Sequence, residues 1–120
     1  MIIPETIKAN AISLQNIGVN DVAWLRLDAL ALLKTLEGSA IAVLGGDVLK
    51  KERENYQYNY DNWSSDIKPG EQWAAYAARS RKETQDYIES YPDNGNGEYI
   101  YCLIFTEKPT LEQLQKMNEC

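Results

Sequence analysis

Among the groups in this sequence suited to proton transfer or cation binding, four aspartates stand out: Asp28, Asp47, Asp61 and Asp66. Two of them, brought together, would make a general acid/base pair. Asp47 follows Gly45-Gly46 after the apolar run Ala40-Ile41-Ala42-Val43-Leu44, and a backbone without side chains lets a ligand come close. Asp61 stands in Tyr60-Asp61-Asn62-Trp63, and Arg79-Ser80-Arg81-Lys82 is the densest basic patch. An enzyme built from these parts gathers Asp47, Asp61, Arg79 and Tyr60 in one cleft around a small molecule. Each part also has a plainer explanation. Glycines in a strand mark a bulge or a tight turn. Asp-Asn makes local turn hydrogen bonds. Arg79 and Lys82 match Glu83 and Asp86 four residues on, as solvated helix pairs do. Nothing in the spacing of the aspartates brings two of them together.

The 120-residue chain has no histidine, two cysteines and a formal charge of −6. Without His there is no Ser-His-Asp triad, no Cys-His pair and no imidazole ligand for a metal. Cys102 and Cys120 are too few for a structural zinc site and read as reduced thiols of a cytoplasmic protein. A pI near 4.6 argues against nucleic acid and anionic membranes as partners. Met1-Ile2-Ile3-Pro4-Glu5 lacks the pattern of a signal peptide, and Ala40–Leu44 falls far short of a membrane span. No cofactor and no metal are expected. The acidic excess is uneven: residues 71–120 carry nine acids and five bases. Such a surface suits a basic protein partner.

Positioning these groups requires a folded frame, and at this length one domain over residues 1–120 is expected. Pro4, Glu5 and the apolar Ile3, Ile7, Ala11 and Leu14 predict a helix over 4–16, ended by Gly18. Asp28 as N-cap, followed by Ala29, Leu32, Leu33 and Leu36, predicts a second helix over 28–37, stopped by Gly38. Val22–Leu27 stays open between a helical extension and an approach loop. Ala40–Leu44 predicts a buried strand, which Gly45-Gly46-Asp47 interrupts before Val48-Leu49. Tyr56, Tyr58 and Tyr60 alternate with polar residues, so a hairpin carries them on one face, with charged Lys50–Asn55 at its solvated end. The helical period returns over 71–91 in Trp73, Ala77, Ser80, Thr84, Tyr87, Ile88 and Tyr91. Pro92–Gly97 is a turn cluster. Glu98–Thr106 is apolar on both faces, which predicts a central strand covered on both sides. Thr110 and Gln113 have capping-box spacing and open a last helix. The order α-α-β-β-α-β-α gives an α+β class: a small, mostly antiparallel sheet of about three strands packed with three to four helices.

Tyr56, Tyr58, Tyr60 and Trp63 put four aromatics in eight residues, a density that suits a binding surface as well as a hairpin's inner face. A wider pattern includes them. Ala23-Trp24-x-Arg26 before Asp28-Ala29-Leu30, Ala42-Val43-Leu44-Gly45-Gly46-Asp47-Val48, Tyr60-Asp61-Asn62-Trp63, Ala78-Arg79-Ser80 and Tyr87-Ile88 together resemble the immunity protein 40 family. The resemblance runs over about residues 18–105, and its Gly-Gly-Asp-Val and Asp-Asn-Trp pieces are the most specific. It implies a cytoplasmic protein that protects bacteria from the toxins of polymorphic or contact-dependent systems. Such proteins bind the cognate toxin and do no catalysis of their own. Trp24, Asp28, Gly45, Gly46, Ser80 and Tyr87 then serve the frame. The candidates for toxin contact are Asp47, Tyr56, Tyr58, Tyr60, Asp61, Asn62, Trp63 and Arg79. A third reading pairs the Tyr-rich hairpin or strand 99–105 with another copy, as a weak homodimer in place of a monomer.

Overall fold

The computed structural model describes residues 3–118. Along the chain run α1 (Glu5–Lys8), β1 (Ile12–Ser13), a 3₁₀ turn (Gln15–Ile17), β2 (Val22–Ala23), α2 (Arg26–Thr35) and β3 (Ala42–Glu52). Then follow β4 (Asn55–Ser64), α3 (Trp73–Ser90), β5 (Tyr99–Thr106) and α4 (Leu111–Met117). The main sheet is antiparallel in the order β4-β3-β5, and β1 and β2 form a separate two-stranded ribbon. This is the expected α+β class with one unexpected ribbon.

Both faces of the sheet are apolar, and alternation along each strand explains why. Val43, Val48, Tyr101 and Leu103 meet Ile7 of α1, Ala29, Leu32 and Leu33 of α2, and Ile88 of α3. Leu49, Ile100 and Cys102 point the other way, onto Leu14 and Ala23. A smaller cluster of Ala42, Ile67, Tyr76 and Ala77 holds the start of α3. Fully burying one such aliphatic or aromatic side chain stabilises the fold by about 1.5–3 kcal/mol.

The helix expected over 4–16 stops at Lys8. Ile7 belongs to the cluster on the helical side and Leu14 to the cluster on the ribbon side. One straight helix has a single apolar stripe and cannot serve both faces of a sheet, so the chain extends after α1 and pairs Ile12 with Ala23. Helix α2 begins at Arg26, with extended Leu25 as its N-cap. Asp28 is therefore a first-turn residue and no cap. Its carboxylate suits the positive helix end and accepts a hydrogen bond from Asn10 Nδ2 at 3.0 Å. Val22–Leu27 is neither a helical extension nor a plain loop. Its first residues are strand β2, and Trp24 exchanges two backbone hydrogen bonds with Tyr101, at 2.9 and 2.8 Å.

Gly45-Gly46 does not interrupt the strand: β3 runs through it for 11 residues. β5 is covered on both faces, as expected, but it lies at the side of the sheet, and β3 is central. Only β3 pairs along its length with two neighbours. Helix α3 lies where periodicity puts it, while the hairpin's turn is narrower than Lys50–Asn55, since Glu52 already pairs with Asn55, and β4 runs on to Ser64. The Thr110 capping box is formed: its hydroxyl accepts from Gln113 N at 3.1 Å and its N–H donates to Gln113 Oε1 at 2.7 Å. Cys102 is a buried free thiol, and Cys120 lies outside the described residues.

Candidate functional site

The hairpin contains a bulge. β4 pairs regularly with β3 from Glu52↔Asn55 to Leu49↔Tyr58 and again from Asp47↔Asn62 to Gly45↔Ser64. Between these stretches Val48 alone faces Asn59, Tyr60 and Asp61. A ring of hydrogen bonds shapes the excess. Asn59 Nδ2 donates to the Tyr91 hydroxyl at 2.8 Å. That hydroxyl donates to Asp61 Oδ2 at 2.5 Å, and Asp61 N–H donates to Asn59 Oδ1 at 3.1 Å. Burial, and then the bond to Asp61, push the Tyr91 phenol up to about 12, so it remains a donor at neutral pH.

Tyr60 is the tip of this bulge. Its φ is 69° and it is 89% exposed. A left-handed backbone costs a residue with a Cβ about 1–2 kcal/mol. Such strain persists where surrounding contacts over-determine it, and it concentrates at binding sites.

Beneath the bulge, Trp63 lies across Gly46. A Cβ on Gly46 would run into the Trp63 ring and the Cys102 carbonyl, so the tryptophan requires glycine there. Trp63 Nε1 donates to Thr84 Oγ1 at 3.0 Å, and its ring stacks on Tyr87 with centroids 4.7 Å apart. Tyr87 leads on to Tyr91, at 5.9 Å, and Tyr91 meets Tyr99 and Tyr101 edge-on. Beside this ladder is an open cleft of about 370 Å³ lined by Trp63, Tyr87, Glu83, Asp86, Ser64 and Ser90, among others. An aromatic wall of this kind suits the stem of a long side chain, while both rim carboxylates are already engaged, Glu83 by Arg79 and Asp86 by Lys82, each at 2.8 Å.

The residues singled out in the sequence fall in three places. Tyr60, Asp61, Asn62 and Trp63 belong to the bulge and its base. Asp47 and Tyr58 lie across the sheet, near Cys102 and Asp21. There burial, and then Asp21, push the Cys102 thiol up to about 12, which leaves it protonated and unreactive at neutral pH. Tyr56 packs against the ribbon-side cluster and donates to Gly97 O at 2.6 Å, tying the hairpin to the Pro92–Gly97 turn. The bulge lies between Tyr58 and Asn62, so Tyr60 does not continue the face that Tyr56 and Tyr58 share.

Arg79 forms the third place. It donates to both Glu71 carboxylate oxygens at 2.8 and 2.7 Å, to Glu83 at 2.8 Å and to Asp66 O at 2.7 Å. Asp47, Asp61 and Arg79 thus have separate surroundings. Among the described residues no cluster of three or more His, Cys, Asp or Glu could hold a metal ion. Ser80 is buried in the frame: it accepts from Val43 N–H at 2.9 Å and donates to Ala77 O.

Sequence reasoning missed three contributors. Tyr91 counted only as the last apolar position of a helix, and Asn59 only as a spacer between tyrosines. Asp93 counted as a turn residue, yet its nearly buried carboxylate accepts from the Tyr101 hydroxyl at 2.8 Å and sits 3.8 Å from Arg26 Nε. The densely aromatic Tyr87–Tyr101 segment was the available signal for Tyr91. Asp93 had none, because Pro-Asp-Asn-Gly is read fully as a turn.

Comparison with known proteins gives a family match. The model of the family described as Immunity protein 40 matches residues 13–105, a span from β1 to the end of β5. No curated protein and no solved structure matches. Among the described residues no helix is long and apolar enough to cross a membrane. With most of its length matched, from the ribbon through the bulged hairpin to the last strand, the chain belongs to the immunity protein 40 family.

Proposed function

We propose that this protein neutralises a cognate bacterial toxin by binding it, with no catalysis of its own. The contact surface is centred on the β4 bulge. Tyr60 enters the toxin, Asp61 and Asn62 flank it, and the Trp63–Tyr87 wall receives the stem of a long side chain. The setting is the cytoplasm of a bacterium carrying a polymorphic or contact-dependent toxin system, and the toxin's binding surface is basic.

One observation carries the choice of surface: an aromatic side chain 89% exposed on a left-handed backbone, at the tip of a hydrogen-bonded bulge. Folding alone gains little from such a residue, whereas an interface gains a rigid aromatic anchor. The formal charge of −6 supports a basic partner.

The test is co-expression with the toxin encoded beside this gene. Wild-type protein should restore growth and co-purify with the toxin. Tyr60→Ala should fold normally but weaken binding by roughly 10- to 100-fold, the loss of about 1.4–2.8 kcal/mol that an aromatic anchor supplies. Growth arrest despite abundant wild-type protein would refute the function. Full protection by Tyr60→Ala at limiting expression would refute the surface.

A further inference from the structure

The main sheet ends differently on its two sides. At β5 the edge is closed at Tyr101, whose N–H and C=O both bond to Trp24. At β4, among the described residues, no strand lies outside Asn55–Ser64, and the 3₁₀ turn touches only its start, where Asn16 Nδ2 donates to Asn55 Oδ1 at 2.8 Å.

Which groups this edge offers follows from the ladder. Lys51 N–H donates to Glu98 O at 2.7 Å, toward β5. Successive residues of a strand direct their main-chain groups to alternate sides. Lys50 therefore faces β4 and bonds its partner Gln57, while Tyr56 and Tyr58, opposite Lys51 and Leu49, direct N–H and C=O outward. Natural sheet edges are usually blocked by Lys, Pro or short length. Asn55-Tyr56-Gln57-Tyr58 contains neither residue, and its block is the bulge that begins at Asn59.

Charge selects the occupant. Within residues 49–70 acids and bases balance at four each, with Lys51 and Lys50 opposite Tyr56 and Gln57, so the acidity comes from elsewhere. Asp93 lies near Tyr56, Asp47 and Asp21 lie near Tyr58, and the chain carries −6 in all. A second copy of this chain would bring the same acids and be repelled, whereas a basic segment is attracted.

We infer that an extended, basic segment of the toxin adds to the sheet as a fourth strand beside Asn55–Tyr58, bonding the outward main-chain groups of Tyr56 and Tyr58. The bulge stops this strand, fixes its register and places Tyr60 at its end. The inference rests on the toxin-binding reading and gives it a recognition mode.

Amide hydrogen exchange, read by NMR on the whole chain, tests it with and without the toxin domain encoded beside this gene. In the free protein the Tyr56 and Tyr58 amides should exchange at least about tenfold faster than that of Gln57, and toxin should slow both at least about tenfold. In parallel, Tyr58→Pro removes an outward donor and the side chain, whereas Tyr58→Ala removes the side chain alone. Tyr58→Pro should weaken binding about tenfold more than Tyr58→Ala, as loss of a main-chain bond at a desolvated interface predicts. If the wild type binds toxin but the two amides keep their free-state rates, or if Pro and Ala are equivalent, strand addition is wrong and the toxin-binding reading stands. If the wild type does not bind, that reading falls first. Protection of both amides already in the free chain also overturns the inference. Should Tyr58→Pro not fold, the exchange rates of the wild type decide.

Discussion

The Tyr91 hydroxyl, just past the end of α3, donates to the Asp61 carboxylate in the β4 bulge at 2.5 Å, across 30 positions of sequence. Together with Asn59 it fixes the shape of the bulge from the helical side of the sheet. Tyr91→Phe should therefore loosen the bulge without unfolding the core. Denaturant unfolding should show a loss of about 1–2 kcal/mol, as for a hydrogen bond to a charged group. Toxin affinity should fall with it, and amides 59–61 should exchange faster.

Tyr60 opposes stability to binding. Tyr60→Gly relieves a left-handed backbone and should stabilise the fold by up to about 1 kcal/mol, since glycine adopts φ > 0 without a Cβ clash but is more flexible when unfolded. The same change should weaken toxin binding. Denaturant unfolding and calorimetric titration on one sample check both signs. A glycine variant that is less stable than wild type would show that the strain is absent.

Gly46→Ala puts a methyl group where the Trp63 ring and the Cys102 carbonyl already sit. Overpacking of this kind costs about 1–3 kcal/mol, visible as a lower midpoint of urea unfolding. Trp63→Ala in the same background should recover part of that loss, because the collision partner is gone. Strict additivity of the two changes would place the Trp63 ring elsewhere.

Asp93 joins the Pro92–Gly97 turn to the core through Tyr101 and Arg26. Asp93→Ala leaves a buried phenol without its acceptor and a guanidinium without its counter-charge. The expected cost is about 2–4 kcal/mol in chemical unfolding. Tyr101→Phe should cost less, because the carboxylate keeps Arg26 and the Gly95 N–H.

Glu71 gives the fold an acid-sensitive joint. Hydrogen bonds from Arg79 hold its carboxyl below the ordinary value of 4.5, against the opposing effect of burial. A carboxyl depressed in the folded state contributes stability that is complete above its unfolded value and disappears as pH falls through the folded one. The stability gap between wild type and Glu71→Gln should thus be widest near neutral pH and close below about pH 4. A gap that is independent of pH between about 3 and 7 would assign the difference to packing and not to the ion pair.

Much of the frame was legible because local signals agreed with it. Helix α3 shows its 3.6-residue period, β5 its short run apolar on both faces and α4 its capping box, and each lies where those signals put it. The segment 4–16 misled because Ile7 and Leu14 share a helical spacing while packing on opposite faces of the sheet. A single sequence records that both are apolar, not that a sheet lies between them. The bulge was hidden for a different reason. It adds two residues to β4, so the alternation of side chains resumes in phase at Asn62 and shows no break. The ring that shapes it depends on Tyr91, which only the return of α3 against the hairpin brings near.

The ring around the bulge has one more property. Its members are Asn59, Asp61 and Tyr91, and the side chain of the residue at its apex takes no part in it. Form and content are thereby separated: the loop keeps its outline with any residue at position 60 that tolerates a left-handed backbone. On the proposed toxin-binding reading, a substitution at this apex changes the contact without changing how the hairpin folds.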